Sequence, residues 1–359
     1  MKSYKITLLP GDGIGPEITN VTRRILDLVS SQFGFELKFQ EMPFGGSAID
    51  SDGIPFPDKT LQECKNSDAV LLAAIGDPKY DELPRDKRPE TGLLNLRSSL
   101  DLFANIRPVK IIPSLTKASS LKEEFVREVD LVVVRELTSG IYFGEPKGRI
   151  KTEKGERAFN TMTYTSEEVN RIAEIAFQLA QQRNKKVCSV DKANVLDVSQ
   201  LWREETILVS NKYKEVQLTH QYVDNAAMQL VRNPSQFDVI LTSNLFGDIL
   251  SDIAAMLTGS IGMLPSASLT LDGPGVFEPV HGSAPDIAGK DIANPIAMLL
   301  SAAMMLKIAF NEKKAGNYLE NAINEILNDG YRTSDLMSSE TTKQVSCSQI
   351  GELLAEKLK

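Results

Sequence analysis

Asp248 and Asp252 stand four residues apart in Asn244-Leu245-Phe246-Gly247-Asp248-Ile249-Leu250-Ser251-Asp252. On a helix that spacing puts both carboxylates on one face. Two like charges held so close repel unless positive charge sits between them. A third acid, Asp224, lies in Tyr222-Val223-Asp224-Asn225-Ala226 at the position expected of a helix N-cap. The chain has two histidines and no cysteine pair at ligand spacing. An all-carboxylate set of this kind suits a hard, oxygen-seeking cation, Mg²⁺ or Mn²⁺, rather than zinc. The alternative is a solvated acidic helix face; Ile249, Leu250, Ile253 and Ala254 around the acids argue against it.

Three arginines occupy otherwise apolar strand or helix ends: Leu96-Arg97, Ile106-Arg107-Pro108 and Val134-Arg135-Glu136. One such arginine is ordinarily a salt-bridge partner. Three in one half of an acidic chain suggest a clamp for carboxylates, which the guanidinium fork matches bidentately. Lys192, in Val190-Asp191-Lys192-Ala193-Asn194, ends a buried-looking strand, where desolvation beside other cations would ease its deprotonation. Tyr142 lies between Gly140 and Gly144, which permit close approach of a ligand. A snorkelling lysine and a core tyrosine are the competing readings. The segment Glu278-Pro279-Val280-His281-Gly282-Ser283-Ala284-Pro285-Asp286 is rich in small residues, Pro and Gly, and reads as an irregular ligand-presenting loop. There His281 can meet a base, and Asp286 can accept from ribose hydroxyls while repelling a 2′-phosphate, which favours NAD over NADP.

The elements that must position these groups alternate between short β-branched runs and helical patterns, as in an α/β protein with parallel strands. Strands are expected over 6–9, 35–40, 69–74, 131–135, 187–190, 216–222 and 239–242. Helices are expected over 16–29, 167–182 with Ser166 as cap, 295–310 and 318–328, with a last helix ending at Leu358. Gly11-Asp12-Gly13-Ile14-Gly15-Pro16 follows the first strand, but Pro16 stands where a dinucleotide fingerprint needs its third glycine. It reads as a tight turn with Pro16 opening a helix. The polar stretch 144–165, punctuated by Gly148 and Gly155, is expected to form a protruding hairpin arm that pairs with a second subunit.

At 359 residues the chain should hold two domains. A net charge of −8 argues against nucleic acid or anionic membrane as partners. Cys64, Cys188 and Cys347 are few and far apart, as expected of buried free thiols in a reducing compartment. No secretory signal is evident at the N-terminus, and the apolar window 292–310 carries Asn294, Pro295 and Lys307, so it reads as a buried helix. A cytoplasmic protein is expected.

Five segments carry a resemblance to a known family: Leu9-Pro10-Gly11-Asp12-Gly13-Ile14-Gly15-Pro16-Glu17, Arg135-Glu136-Leu137-Thr138-Ser139-Gly140-Ile141-Tyr142, Asp191-Lys192-Ala193-Asn194, the Asn244–Asp252 segment, and His281-Gly282-Ser283-Ala284-Pro285-Asp286. The chain resembles the β-decarboxylating dehydrogenases, the isocitrate and isopropylmalate group, over nearly its full length. The resemblance implies a two-domain, non-Rossmann α/β/α fold, 1–102 plus 255–359 forming the first domain and 103–254 the second, with a dimerising β-arm. It implies that Arg97, Arg107 and Arg135 hold malate carboxylates, that Asp224, Asp248 and Asp252 ligate Mg²⁺ or Mn²⁺, and that Tyr142 and Lys192 are the acid–base pair. Glu278, His281, Gly282, Ser283, Ala284, Asp286 and Asn294 would hold NAD, and Lys192 and Asp224 would come from the partner of a homodimer. Within Glu90-Thr91-Gly92-Leu93-Leu94-Asn95-Leu96-Arg97, where isocitrate enzymes carry a serine and an asparagine, Leu93 and Leu94 set apolar surface beside the clamp. That suits an isopropyl group and leaves a third carboxylate unpaired. Oxidative decarboxylation of an isopropyl-substituted malate, in leucine biosynthesis, is the expected reaction. Tartrate or another alkylmalate as substrate, or a Mg²⁺-dependent phosphoryl transfer, are the alternatives. Ser334, Ser338 and Ser339 replace glycines expected near the C-terminal loop.

Overall fold

The structure, a computed structural model, describes residues 2–338 and 343–359, so Ser339 lies outside the described residues. The chain divides into two compact units. The first comprises Met1–Leu102, Ile112–Glu123 and Thr258–Lys359; the second comprises Phe103–Ile111 and Glu124–Leu257. The segment Ile112–Glu123 thus departs from the expected boundary. A buried arginine explains it: Arg332 donates to the carbonyls of Leu327 and Tyr331 and, at 2.9 Å, to that of Ser114.

In the first unit, strand Lys2–Gly11 runs parallel to Phe35–Glu41 on one side and Ala69–Ala74 on the other. Gly275–Pro279 adds in parallel to Ala69–Ala74, and Pro265–Leu269 pairs with it antiparallel. Helix Gly15–Phe33 buries Ile18, Ile25, Leu26 and Val29 on one stripe and ends on Gly34 in the left-handed conformation. Helix Ile296–Ile308 is apolar on every side and correspondingly buried almost throughout. No helix among the described residues is long and apolar enough to cross a membrane.

In the second unit the strand order is Ala104–Lys110, Asp130–Glu136, Val239–Thr242, Lys186–Asp191, Gln217–Tyr222. The first pair is antiparallel and the others parallel. Each unit therefore departs from the all-parallel expectation by one antiparallel pair. Helical crossovers are what parallel neighbours require; residues 270–274 link Pro265–Leu269 to Gly275–Pro279 without one. Glu278 accordingly sits in a regular strand, not in the loop expected of it.

The arm is a separate two-stranded sheet, Gly148–Thr152 against Gly155–Phe159, in register from Gly148↔Phe159 to Thr152↔Gly155. All its residues are exposed except Phe159. Helix Ser166–Gln181 is capped by Thr165, not Ser166, through a reciprocal capping box with Glu168. Helix Val223–Arg232 takes Tyr222 as N-cap and carries Asp224 in its first turn, where a carboxylate still meets the positive end of the helix dipole. Pro16 likewise falls one residue inside a helix that starts at Gly15. All three cysteines are buried and free, and burial pushes Cys64 and Cys347 to about 12 and Cys188 to about 11.

Candidate active site

Within the second unit, Arg107, Arg135, Tyr142, Asp248 and Asp252 converge. Helix Asn244–Ala255 carries the two aspartates, and strands Ala104–Lys110 and Asp130–Glu136 carry the arginines. Arg135 donates its NH1 to Asp248 Oδ1, and Tyr142 donates its hydroxyl to Asp248 Oδ2 at 3.0 Å. Arg107 places NH1 3.7 Å from Asp248 and 3.8 Å from Asp252. The positive charge that the aspartate pair demands is thus supplied in part by guanidinium groups. Arg107 and Arg135 are buried, whereas the side chains of Asp248 and Asp252 are 36% and 59% exposed. Ile249 beside them is exposed as well, so the helix edge is wetter than its apolar neighbours suggested. Partial burial holds the Asp252 carboxyl above the usual carboxylate range; Arg107 opposes the rise and the Asp248 charge adds to it.

Polar residues that spacing alone did not single out orient the two arginines. Arg107 donates to Asn105 at 2.7 Å and to Ser251 at 2.6 Å. Arg135 donates twice to Asn244 Oδ1, at 3.0 and 2.7 Å. Ser251 and Asn244 lie inside the acidic motif, three and four residues from Asp248, and that was the available signal.

Lys192 and Asp224 form a pair of their own, Nζ to Oδ1 at 2.5 Å. Lys192 is neither deeply buried nor set among cations, against expectation: it sits just past strand Lys186–Asp191, partly exposed, beside a carboxylate and the Tyr222 ring. The ion pair holds Asp224 below the usual carboxylate range. Among the described residues of one chain, no three acids, histidines or cysteines converge to hold a metal, so Asp224 does not join Asp248 and Asp252 within one chain. Asp248 and Asp252 alone present hard oxygen donors on a partly exposed helix edge, which fits a divalent cation whose remaining oxygens come from elsewhere.

In the first unit, Arg97 on helix Pro89–Ser99 reaches Glu278 at 3.2 Å, the two side chains being 10% and 11% exposed. The Arg97 Nε is buried without a hydrogen-bond partner. Leu93 and Leu94, a turn earlier, are only half-buried, and Glu90 is exposed. The loop after Gly275–Pro279 locks onto the glycine turn: Ser283 accepts from the Ile14 amide at 2.8 Å, and its hydroxyl donates to the Gly76 carbonyl. A Cβ on Gly13 would lie 2.0 Å from the Ser283 carbonyl oxygen, so only glycine permits this approach. Asp12 ties the turn together by accepting from the amides of Gly46, Ser47 and Gly76, each at 2.8 Å, a role the turn's sequence did not disclose. His281 holds Nε2 shielded and unpartnered, and burial keeps the ring below its usual pKa, hence neutral. Beside it Gly282 faces open space, Ala284 is half-buried and Asp286 is exposed. Asn294 donates to Asp335 at 3.0 Å and accepts from the Ile296 amide at 3.0 Å. An orphaned ring nitrogen, an open glycine and a free-standing carboxylate fit a ligand bearing a base and ribose hydroxyls.

Residues 5–354 match the profile of the isocitrate/isopropylmalate dehydrogenase family. A protein of Prochlorococcus marinus (strain NATL2A), described as 3-isopropylmalate dehydrogenase, is 92% identical over 359 residues, covering 100% of both chains. One of Synechococcus sp. (strain CC9902) with the same description is 64% identical over 358 residues, again covering 100% of each. Among solved structures, an isocitrate dehydrogenase from Methylococcus capsulatus superposes with a TM-score of 0.88 at 34% identity, covering 99% of both chains. A β-decarboxylating dehydrogenase from Thermococcus kodakarensis gives 0.79 at 33%, covering 99% of this chain and 96% of the other. The chain belongs to the isocitrate/isopropylmalate dehydrogenase family.

Proposed function

We infer that the chain catalyses the oxidative decarboxylation of 3-isopropylmalate to 2-oxoisocaproate, with NAD as hydride acceptor, as a cytoplasmic enzyme of leucine biosynthesis. The observation that carries the substrate choice is the half-exposed pair Leu93 and Leu94, four and three residues before Arg97. A third carboxylate placed there would be left unpaired, whereas an isopropyl group is not. The relatives at 92% and 64% identity carry the corresponding description.

Arg97, Arg107 and Arg135 hold the substrate carboxylates through charge-assisted bonds. Bound NAD supplies the hydride acceptor, and a divalent cation at Asp248 and Asp252 supplies Lewis-acid stabilisation of negative charge on the keto oxygen. Lys192, acting through its Asp224 partner, takes the proton of the C2 hydroxyl as the C2 hydrogen leaves as hydride. The resulting β-keto acid loses CO₂ by cleavage of the bond from C3 to its carboxylate, and the electron pair is left as an enolate. Tyr142, whose hydroxyl points at Asp248, returns a proton to C3.

Lys192 and Asp224 act across a two-fold homodimer in this reading. Exposed Met228 and Val231 on helix Val223–Arg232, and Ile249 and Met256 on and after the aspartate helix, support an isologous apolar interface. The solvated arm offers further strand edges for pairing.

NADH formation is measured with 3-isopropylmalate, isocitrate, malate and tartrate, and with NADP in place of NAD. Turnover is expected to be fastest with 3-isopropylmalate and NAD. Faster turnover of isocitrate would sink the substrate assignment. The glycine turn does not support phosphoryl transfer: Gly13 is packed on Ser283, and no lysine with a following hydroxyl residue comes after the turn.

A further inference from the structure

Arg135 is 1% exposed, yet it must present its guanidinium in one orientation to a carboxylate that comes and goes. Its side chain lies across the first turn of helix Asn244–Ala255. A Cβ built on Gly247 would fall 2.7 Å from Cγ, 2.8 Å from Cβ and 3.1 Å from Cδ of Arg135. These are root atoms of the side chain, so a methyl group at 247 cannot be absorbed by swinging the far end away. At that end Asn244 accepts from Nε and NH2 together through Oδ1, while NH1 goes to Asp248. Asn244 is itself immobilised: Nδ2 donates to the carbonyls of Leu137 and Ser139, each at 3.0 Å, and its amide donates to the Tyr164 hydroxyl at 2.8 Å.

We propose that Asn244 and Gly247 are positioning residues for substrate recognition: together they form a saddle that fixes the plane and reach of Arg135, and so set affinity for the substrate's carboxylate. The proposal rests on the functional reading above and deepens it. Residues i, i+3 and i+4 of one helical turn then share a single task, since Asn244 holds one edge of the guanidinium, Gly247 admits the stem and Asp248 takes the other edge. The guanidinium fork rewards correct placement more than a point charge does, because two parallel bonds must be satisfied at once.

The test separates positioning from packing. Asn244→Ala removes the acceptor but also strands two buried carbonyls, so loss of fold is a risk for that variant. Gly247→Ala leaves every polar group in place and is favoured by helix propensity, so it should fold while pushing Arg135 off its saddle. Dissociation of 3-isopropylmalate is read by calorimetry with Mg²⁺ and without NAD, alongside kcat, both KM values and Tm. Gly247→Ala is expected to stay folded with a lowered Tm, since the close approach must be relieved, and to keep the KM for NAD, while the substrate dissociation constant and KM rise roughly tenfold. For folded Asn244→Ala the rise should be roughly 10- to 100-fold, the range of a charge-assisted bond. Equal kcat with a raised substrate KM marks loss of uniform substrate binding. An unchanged substrate dissociation constant in Gly247→Ala overturns the proposal. So does an equal rise in both KM values, or loss of fold in that variant, since the saddle would then serve packing alone. Wild-type turnover of 3-isopropylmalate is read first, so failure of the functional reading shows in the wild type and failure of this inference shows only in the variants.

Discussion

Asp248 is the residue on which most of the candidate chemistry meets. It accepts from Arg135 and Tyr142 and lies within 3.7 Å of Arg107. Replacing it with asparagine keeps the shape, removes the charge and turns one acceptor into a donor facing guanidinium groups. Asp248→Asn should therefore weaken the dependence on Mg²⁺ or Mn²⁺ and lower turnover by roughly 100-fold, the scale of a lost electrostatic stabiliser, with the fold retained. A metal titration beside a thermal melt checks this, and an unchanged titration would return Asp248 to the role of a solvated surface acid. Cofactor choice is argued at the same scale. Asp286 is exposed and Ile287 half-buried, and replacing them with Lys and Tyr should move kcat/KM preference from NAD towards NADP. Equal use of both cofactors by the wild type would remove Asp286 as the determinant. Spacing was enough to single out Asp248, Asp252 and the three arginines, because charge in apolar surroundings is conspicuous in sequence. Asn244 and Asp12 were not singled out, since their partners lie on other strands and turns; Asn105 meets Arg107 two residues along the same strand, a pairing that an extended stretch does not advertise. For Lys192 the inference from buried surroundings ran the wrong way: local apolarity could not reveal that Asp224, 32 residues on, would stand beside it.

Whole elements followed the hydrophobic period where that period was strong. Strands Ala69–Ala74 and Val239–Thr242 fall on the residues their apolar runs mark out. Ala104–Lys110, Pro265–Leu269 and Gly275–Pro279 escaped detection because each carries proline and pairs antiparallel with a sequence neighbour, and Tyr331–Arg332 and Lys343–Gln344 because two residues show no period. The helix pair Val223–Arg232 and Asn244–Ala255 departs from simple amphipathicity in the other direction, leaving Met228, Val231 and Ile249 to solvent. If these faces form the proposed dimer, Met228→Glu with Val231→Glu should dissociate it. Isologous symmetry counts each change twice, and at roughly 1.5 kcal/mol per apolar side chain the dissociation constant should rise about 10⁴-fold. Sedimentation measures the effect, and circular dichroism shows whether the helices persist. A doubly substituted protein that still sediments as wild type would place any assembly on another surface.

At the scale of the whole molecule, two behaviours follow from groups that are far apart in sequence. Burial raises the thiols of Cys64 and Cys347 from 9.0 to about 12 and that of Cys188 to about 11. The unfolded chain releases these protons above pH 9 while the folded one retains them. Their contribution to stability is therefore complete below that pH and is lost as the pH climbs towards 11–12. Denaturant midpoints should fall between pH 9 and 11, and less steeply in Cys64→Ala than in wild type; an identical alkaline limb would discharge Cys64 from this role. The second behaviour concerns which chain completes the site. No metal-holding set of three assembles within one chain among the described residues, and Lys192 with Asp224 forms a pair apart from Asp248 and Asp252. In the proposed dimer each site takes Lys192 and Asp224 from one subunit and Asp248 and Asp252 from the other. Lys192→Ala and Asp248→Asn proteins, each strongly impaired alone, should then restore activity when their subunits are exchanged. Random exchange yields about half heterodimers, and each of these has one site with both residues intact and one with neither. Recovery should approach roughly a quarter of wild type under that two-fold geometry, measured as NADH formation after exchange is verified with differently tagged chains. Verified exchange without any recovery would mean that each chain builds its own site.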